Sequence, residues 1–239
     1  MAVNQQRVPD YDEVWRDAYG DMQDHGPVHR HMRRILRGLL RPLEYRSVLE
    51  VGCGAGQNLP LLADGRPLDR LTGADISGEA LRRAALRAPE AELHPLDIEA
   101  GALPGRWDLV FSSLVLEHLH DDRAAVRNLR AMCRRHLLVT TIAGDFERYR
   151  AWDEQMGHVR NYRRGELEEK LAGAGFRVKE AVYWGWPLYT PLVRTLQNRA
   201  SSEPSYGRSM RAVAAILHKL YYLNSSRRGD LLVVLAEPL

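Results

Sequence analysis

Residues 48–58 read Val48-Leu49-Glu50-Val51-Gly52-Cys53-Gly54-Ala55-Gly56-Gln57-Asn58. An apolar strand carrying one carboxylate runs directly into three glycines at alternate positions, and a helix is predicted to follow. Glycines let a backbone turn sharply and come close to a ligand where any Cβ would collide, while the first turn of a helix presents unpaired N–H groups. The stretch therefore reads as the floor of a nucleoside-type site at the end of a strand.

The spacing separates two ligand classes. A dinucleotide site wants G-x-G-x-x-G, with the third glycine packing helix on strand and the helix N-terminus holding pyrophosphate. Here the third position is Gln57 and the glycines run G-x-G-x-G. Glu50, two residues before Gly52, repels phosphate and suits a ligand bearing an ammonium and a sulfonium. S-adenosylmethionine is such a ligand.

Three companion segments lie downstream. Asp75 closes a second short apolar strand about twenty residues after the glycines, Asp97 follows a third, and Trp107 to Leu119 reads Trp-Asp-Leu-Val-Phe-Ser-Ser-Leu-Val-Leu-Glu-His-Leu. Together the four segments resemble the ordered motifs of the class I S-adenosylmethionine-dependent methyltransferases, small-molecule branch (type 11/type 12-like), over roughly residues 45–180. That resemblance implies a cofactor site of Glu50, Gly52, Cys53, Gly54, Gly56, Asn58, Asp75, Ile76, Asp97, Ile98 and Ser113. Asp75 would accept the ribose hydroxyls and Asp97 would read the adenine edge. It also implies that an early tyrosine closes over the methionine end, and Tyr19 is the candidate. S-adenosylhomocysteine would be the product.

The resemblance implies an α/β, Rossmann-like fold: a seven-stranded, mostly parallel sheet with its last strand antiparallel and helices on both faces. The alternation of strand and helix signals agrees. Strands are predicted at Ser47–Val51, Leu71–Asp75, Ala91–Pro95, Trp107–Ser112, His136–Ile142, Arg177–Trp184 and Asp230–Ala236. Ser77 and either Asp121 or Asp122 are expected to cap helices, Cys133 to lie on a helix, and Gly173 and Gly175 to end the helix from Glu166. The expected organisation is one domain over 1–239. It has an N-terminal helical cap (1–45), a cofactor-binding core (46–186 and 230–239) and a helical insertion or lid (187–229). A helix over Arg208–Leu223 would turn Met210, Val213, Leu217, Leu220 and Tyr221 to one side.

Composition excludes several classes. Net charge is +3 over 239 residues, far from that of a dedicated nucleic-acid binder, although seven basic residues between Pro191 and Arg228 face one acid. No apolar run reaches the length of a membrane span and the first ten residues lack a secretory core, so a cytoplasmic protein is expected. Its two cysteines are read as reduced packing residues. His25, His29 and His31 lack a supporting carboxylate pattern, and no metal is expected.

An oxygen acceptor needs a base, and His118 and His158 are the catalytic candidates. Trp15, Tyr162, Trp186 and Tyr189 are the candidates for a substrate wall, with Tyr11 among the aromatics of the leading helix. The expected partner is a small molecule acquiring a methyl on oxygen, ahead of nitrogen and carbon; a homodimer is compatible. A nucleic-acid base methyltransferase is disfavoured because Ser112-Ser113-Leu114-Val115 stands where an Asp/Asn-Pro-Pro-aromatic sequence would be. A non-catalytic module that only binds S-adenosylmethionine stays open. An oxidoreductase fits least, because the glycine pattern is wrong.

Overall fold

The structure, a computed structural model, describes residues 11–12, 22–198 and 208–239. Trp15 and Tyr19 lie outside the described residues. Seven strands form one sheet in the order β3-β2-β1-β4-β5-β7-β6: β1 Ser47–Val51, β2 Arg70–Asp75, β3 Glu92–Pro95, β4 Trp107–Ser113, β5 Cys133–Ile142, β6 Phe176–Trp184 and β7 Leu231–Pro238. The first five run parallel, and β7 lies between β5 and β6, antiparallel to both. The α/β fold with its reversed last strand is as expected.

The near-continuous apolar character of the central strands follows from burial on both faces. Successive residues alternate between two hydrophobic clusters. Leu49, Val51, Val110, Leu137 and Val139 pack into one, while Val48, Leu109, Phe111 and Leu138 pack into the other. The first cluster is closed by α4 (Asp122–Met132) and α6 (Glu166–Gly173), the second by α1 (Pro27–Leu40). Pro27 sits in the first turn of α1, where a missing N–H costs nothing. Ser77 accepts the Ala80 N–H at the start of α3 (Gly78–Arg87), and Asp121 accepts the Ala124 N–H at the start of α4. Among the described residues, the other helices of five or more residues in α form are α2 (Leu59–Ala63), α5 (Phe146–Gln155) and α7 (Arg208–Leu220); shorter turns of helix lie at Met22–His25, Leu116–His118, Thr195–Gln197 and Tyr221–Leu223, and a wider helical turn at Tyr189–Arg194.

Two expectations need correction. Cys133 is not helical: α4 ends at Met132, and Cys133 is already extended, opening β5 opposite Trp107 with no intervening loop. On α7 the buried stripe passes through Ala214 rather than Val213. Ala214 is 2% exposed and Tyr221, just beyond α7, is buried, whereas Val213 and Leu220 are exposed. A four-residue step from Met210 to Ala214 fits a helix better than a three-residue step here, and small Ala214 carried no hydrophobic signal. No helix among the described residues is long and apolar enough to cross a membrane.

Candidate active site

A cavity of about 960 Å³ opens along the carboxyl edge of the parallel strands. Open α/β sheets bind ligands at this edge, and the volume lies at the upper end for small-molecule sites. The ends of β1, β2 and β4 and the segment after β3 supply Gly52, Cys53 and Gly54, Asp75 and Ile76, Ser113 to Val115, and Leu96 to Glu99.

The glycine loop is shaped by close approach. Gly52 has φ +71°, and a Cβ there would stand 2.1 Å from Val115 Cγ2, so only glycine lets β1 exit beneath the segment after β4. The Gly54 N–H donates to Asp75 Oδ2 (2.8 Å), while Asp75 Oδ1 accepts from the Ser77 N–H (2.9 Å). Asp75 is thereby aimed at the cavity with lone pairs to spare. Burial raises its carboxyl above the ordinary range, opposed by those backbone donors. Half-exposed Ile76 and buried Ile98 both line the cavity and offer apolar faces to a flat ring. Asp97 keeps one oxygen uncommitted after Oδ1 accepts the Glu99 N–H (3.0 Å). Tyr11 lines this end. Burial first, then Glu99, Asp75, Glu117 and Asp97, pushes its hydroxyl up to about 12, so it remains a neutral donor.

Glu50 and Gly56 stand elsewhere than expected. Glu50 is wholly buried behind the loop, off the cavity wall. Asn58, which does line the cavity, donates from Nδ2 to Glu50 Oε1 (2.8 Å), and Oε2 has no hydrogen-bond partner among the described residues. Desolvation pushes Glu50 up to about 8. Gly56 packs against α3: a Cβ there would lie 3.2 Å from Ala84 Cα. The Cys53 thiol lines the floor, and burial pushes its pKa far up, so it is not a nucleophile.

A model of the methyltransferase domain family matches residues 22–181. The chain belongs to that family. This methyltransferase domain is 35% identical to a malonyl-[acyl-carrier protein] O-methyltransferase of Chlorobium phaeovibrioides over 181 residues, 70% of this chain and 68% of that protein. It is 30% identical to a trans-aconitate 2-methyltransferase of Azoarcus sp. over 152 residues, 63% of this chain; the chain spans 58% of that protein's length. Among solved structures, the N-methyltransferase NodS from Bradyrhizobium japonicum in complex with S-adenosylhomocysteine matches with a TM-score of 0.63 at 20% identity. The match covers 95% of this chain and 97% of that one.

The second half of the methyltransferase cavity differs in character. One wall is apolar: Met32, Ile142, Val193, Ala214, Leu217 and Tyr189 line it. A polar cluster of Glu117, His118 and His158 lines the same cavity. The His118 and His158 rings meet edge to face with centroids 4.8 Å apart. Burial and neighbouring His158 lower His118 to about 3, so its imidazole is neutral across the physiological range. Ser113 and Thr140 share a hydroxyl hydrogen bond of 2.7 Å beside this end.

Two substrate-wall candidates are displaced. Tyr162 is fully buried, off the cavity, with its hydroxyl on Asp122 (2.8 Å); the partner acid made a core position possible for it. Trp186 lies under the Arg228 guanidinium, also off the cavity, whereas Tyr189 lines it. Arg194, counted in the basic segment, is buried in ion pairs with Asp153 (2.8 Å) and Asp230 (2.9 Å), so that segment is less of a solvated face than its sequence suggests. His29 reaches the cavity while His31 stacks on Trp184, so the early histidines do not converge. The sequence reading missed Glu117 and Leu114. Glu117 bears a visible signal, a lone acid after a run of apolar residues. Leu114 carries none: its φ of +56° at the end of β4 is a tertiary constraint.

Proposed function

We propose that this chain transfers the methyl group of S-adenosylmethionine to an oxygen of a small molecule with an apolar body, leaving S-adenosylhomocysteine. The supporting observation is that one cavity is lined both by the glycine loop with Asp75 and Asp97 and by an apolar wall with a Glu-His-His end. When bound, S-adenosylmethionine supplies a methyl already activated by its sulfonium, so the protein's work is orientation and exclusion of water. Asp75 accepts hydroxyl donors of the sugar, Asp97 meets the base edge, and Ile76 and Ile98 flank the purine. The acceptor's apolar body rests on Met32, Ile142 and Leu217. Its hydroxyl loses the proton at the Glu117, His118 and His158 end, the base role read from the sequence for both histidines. Tyr189, Val193, Ala214 and Leu217 act as the substrate wall. The same reading places the protein in the cytoplasm, where free thiols such as Cys53 and Cys133 stay reduced.

Calorimetry against S-adenosylmethionine, S-adenosylhomocysteine and NAD tests the cofactor half: the first two bind and NAD does not. Mass spectrometry of a panel of hydroxylated small molecules incubated with S-adenosylmethionine then shows a gain of one methyl. Absence of S-adenosylhomocysteine binding would end this reading.

A further inference from the structure

Glu117, His118 and His158 each offer one ligand atom, and these three atoms lie within 4.8 Å of one another. Both imidazoles have their tautomers fixed. His118 Nδ1 is 3.1 Å from the Gly157 carbonyl, which can only accept, so the proton sits on Nδ1 and the lone pair on Nε2. His158 Nδ1 meets Asp153 Oδ1 at 3.1 Å with the same consequence. Asp153 is held in turn by Asn161 Nδ2 (2.7 Å) and by buried Arg194 (2.8 Å). Glu117 is wholly buried; Thr141 Oγ1 donates to its Oε2 (2.8 Å), and its other oxygen, Oε1, has no hydrogen-bond partner among the described residues. A buried carboxylate oxygen without a partner is costly, and a cation shared with the two imidazoles offsets that cost.

We propose that Glu117 Oε1, His118 Nε2 and His158 Nε2 bind a divalent cation of the zinc type, with its remaining positions open to the cavity. Two imidazoles and one carboxylate with an open position make a catalytic zinc set, and a histidine whose other nitrogen donates to a carboxylate or carbonyl is the usual outer arrangement. The nitrogen donors favour Zn²⁺, Co²⁺ or Ni²⁺ over Mg²⁺ and Ca²⁺, which take oxygen ligands. Resting on the methyl-transfer reading, the site also defines the acceptor class: two neighbouring oxygens that chelate the cation, as in a catechol or a hydroxycarboxylate. With both Nε2 atoms on the cation, the cation takes the place of the histidine base: the coordinated O–H breaks and its proton leaves to water. The oxygen's electron pair then forms the C–O bond, the S–C pair returns to sulfur, and nothing is oxidised or reduced.

Chelator-treated protein titrated with Co²⁺ tests the site. One equivalent binds and produces a visible absorption band; Asp153→Asn weakens Co²⁺ about 10- to 100-fold, and His118→Ala or His158→Ala abolishes the band. S-adenosylhomocysteine calorimetry on the same proteins reports that each variant is folded. No band in the wild-type protein, or equal Co²⁺ binding by folded alanine variants, overturns the site while leaving methyl transfer standing. Co²⁺ binding without S-adenosylhomocysteine binding overturns the methyl-transfer reading and leaves the cation site.

Discussion

Glu50 sets a residue-scale expectation for stability. Its carboxyl ordinarily titrates near 4.5, and desolvation raises it to about 8. Below both values folded and unfolded chains alike carry the proton. Between them only the folded chain does, so this group makes stability fall as pH rises from about 4.5 to about 8, after which the effect is complete. Glu50→Gln removes that slope, and the variant gains on the wild type with rising pH. Urea midpoints at pH 5 and pH 8 check it; parallel slopes for the two proteins would refute it. At Gly52 the constraint is steric: Gly52→Ala puts a methyl 2.1 Å from Val115 Cγ2 at a positive φ and costs on the order of 2 kcal/mol in chemical denaturation. Asp75→Asn keeps the shape and removes the charge. A hydrogen bond to a charged group contributes about 1.5–3 kcal/mol, so S-adenosylhomocysteine affinity measured by calorimetry drops roughly ten- to a hundredfold.

Between elements, Arg194 ties the segment after β6 to α5 through Asp153 and to the residue before β7 through Asp230. Arg194→Ala takes the buried guanidinium away from Asp230 and from Asp153, which keeps only His158 and Asn161 among the described residues, and costs about 3–5 kcal/mol in urea unfolding; a loss below ~1 kcal/mol would mean the pairs are solvated. This network was not legible in the sequence, because its members are far apart in the chain and meet only through the fold. What was legible is local: Gly52 to Gly54, Asp75, Asp97 and His118 each lie at or shortly after a strand end, and strand ends share one edge. Tyr162 and Trp186 misled because an aromatic residue reads the same whether it faces a cavity, a buried acid, as Tyr162 does, or an arginine, as Trp186 does. The inward face of α7 was misread for the converse reason, since Ala214 gave no hydrophobic signal.

For the molecule as a whole, the cavity couples ligand to stability. At a hundredfold excess over its dissociation constant, a ligand that binds only the folded state adds about 2.7 kcal/mol, which for a chain of this size raises Tm by roughly 5–10 °C. S-adenosylhomocysteine gives that shift and NAD gives none; equal shifts would point to nonspecific stabilisation. The succession of strands and helices was foreseeable from their signals and the reversed last strand from the family resemblance, whereas the placing of Pro27–Leu40, 189–197 and Arg208–Leu220 along the cavity depends on side-chain fit. Finally, among the described residues β6 joins the sheet only through β7. During synthesis, a nascent chain that has not yet emerged as far as Leu231 holds β5 with a bare edge and β6 adrift. Such an edge is a template for misassociation, so productive folding waits on the final strand to act as keystone.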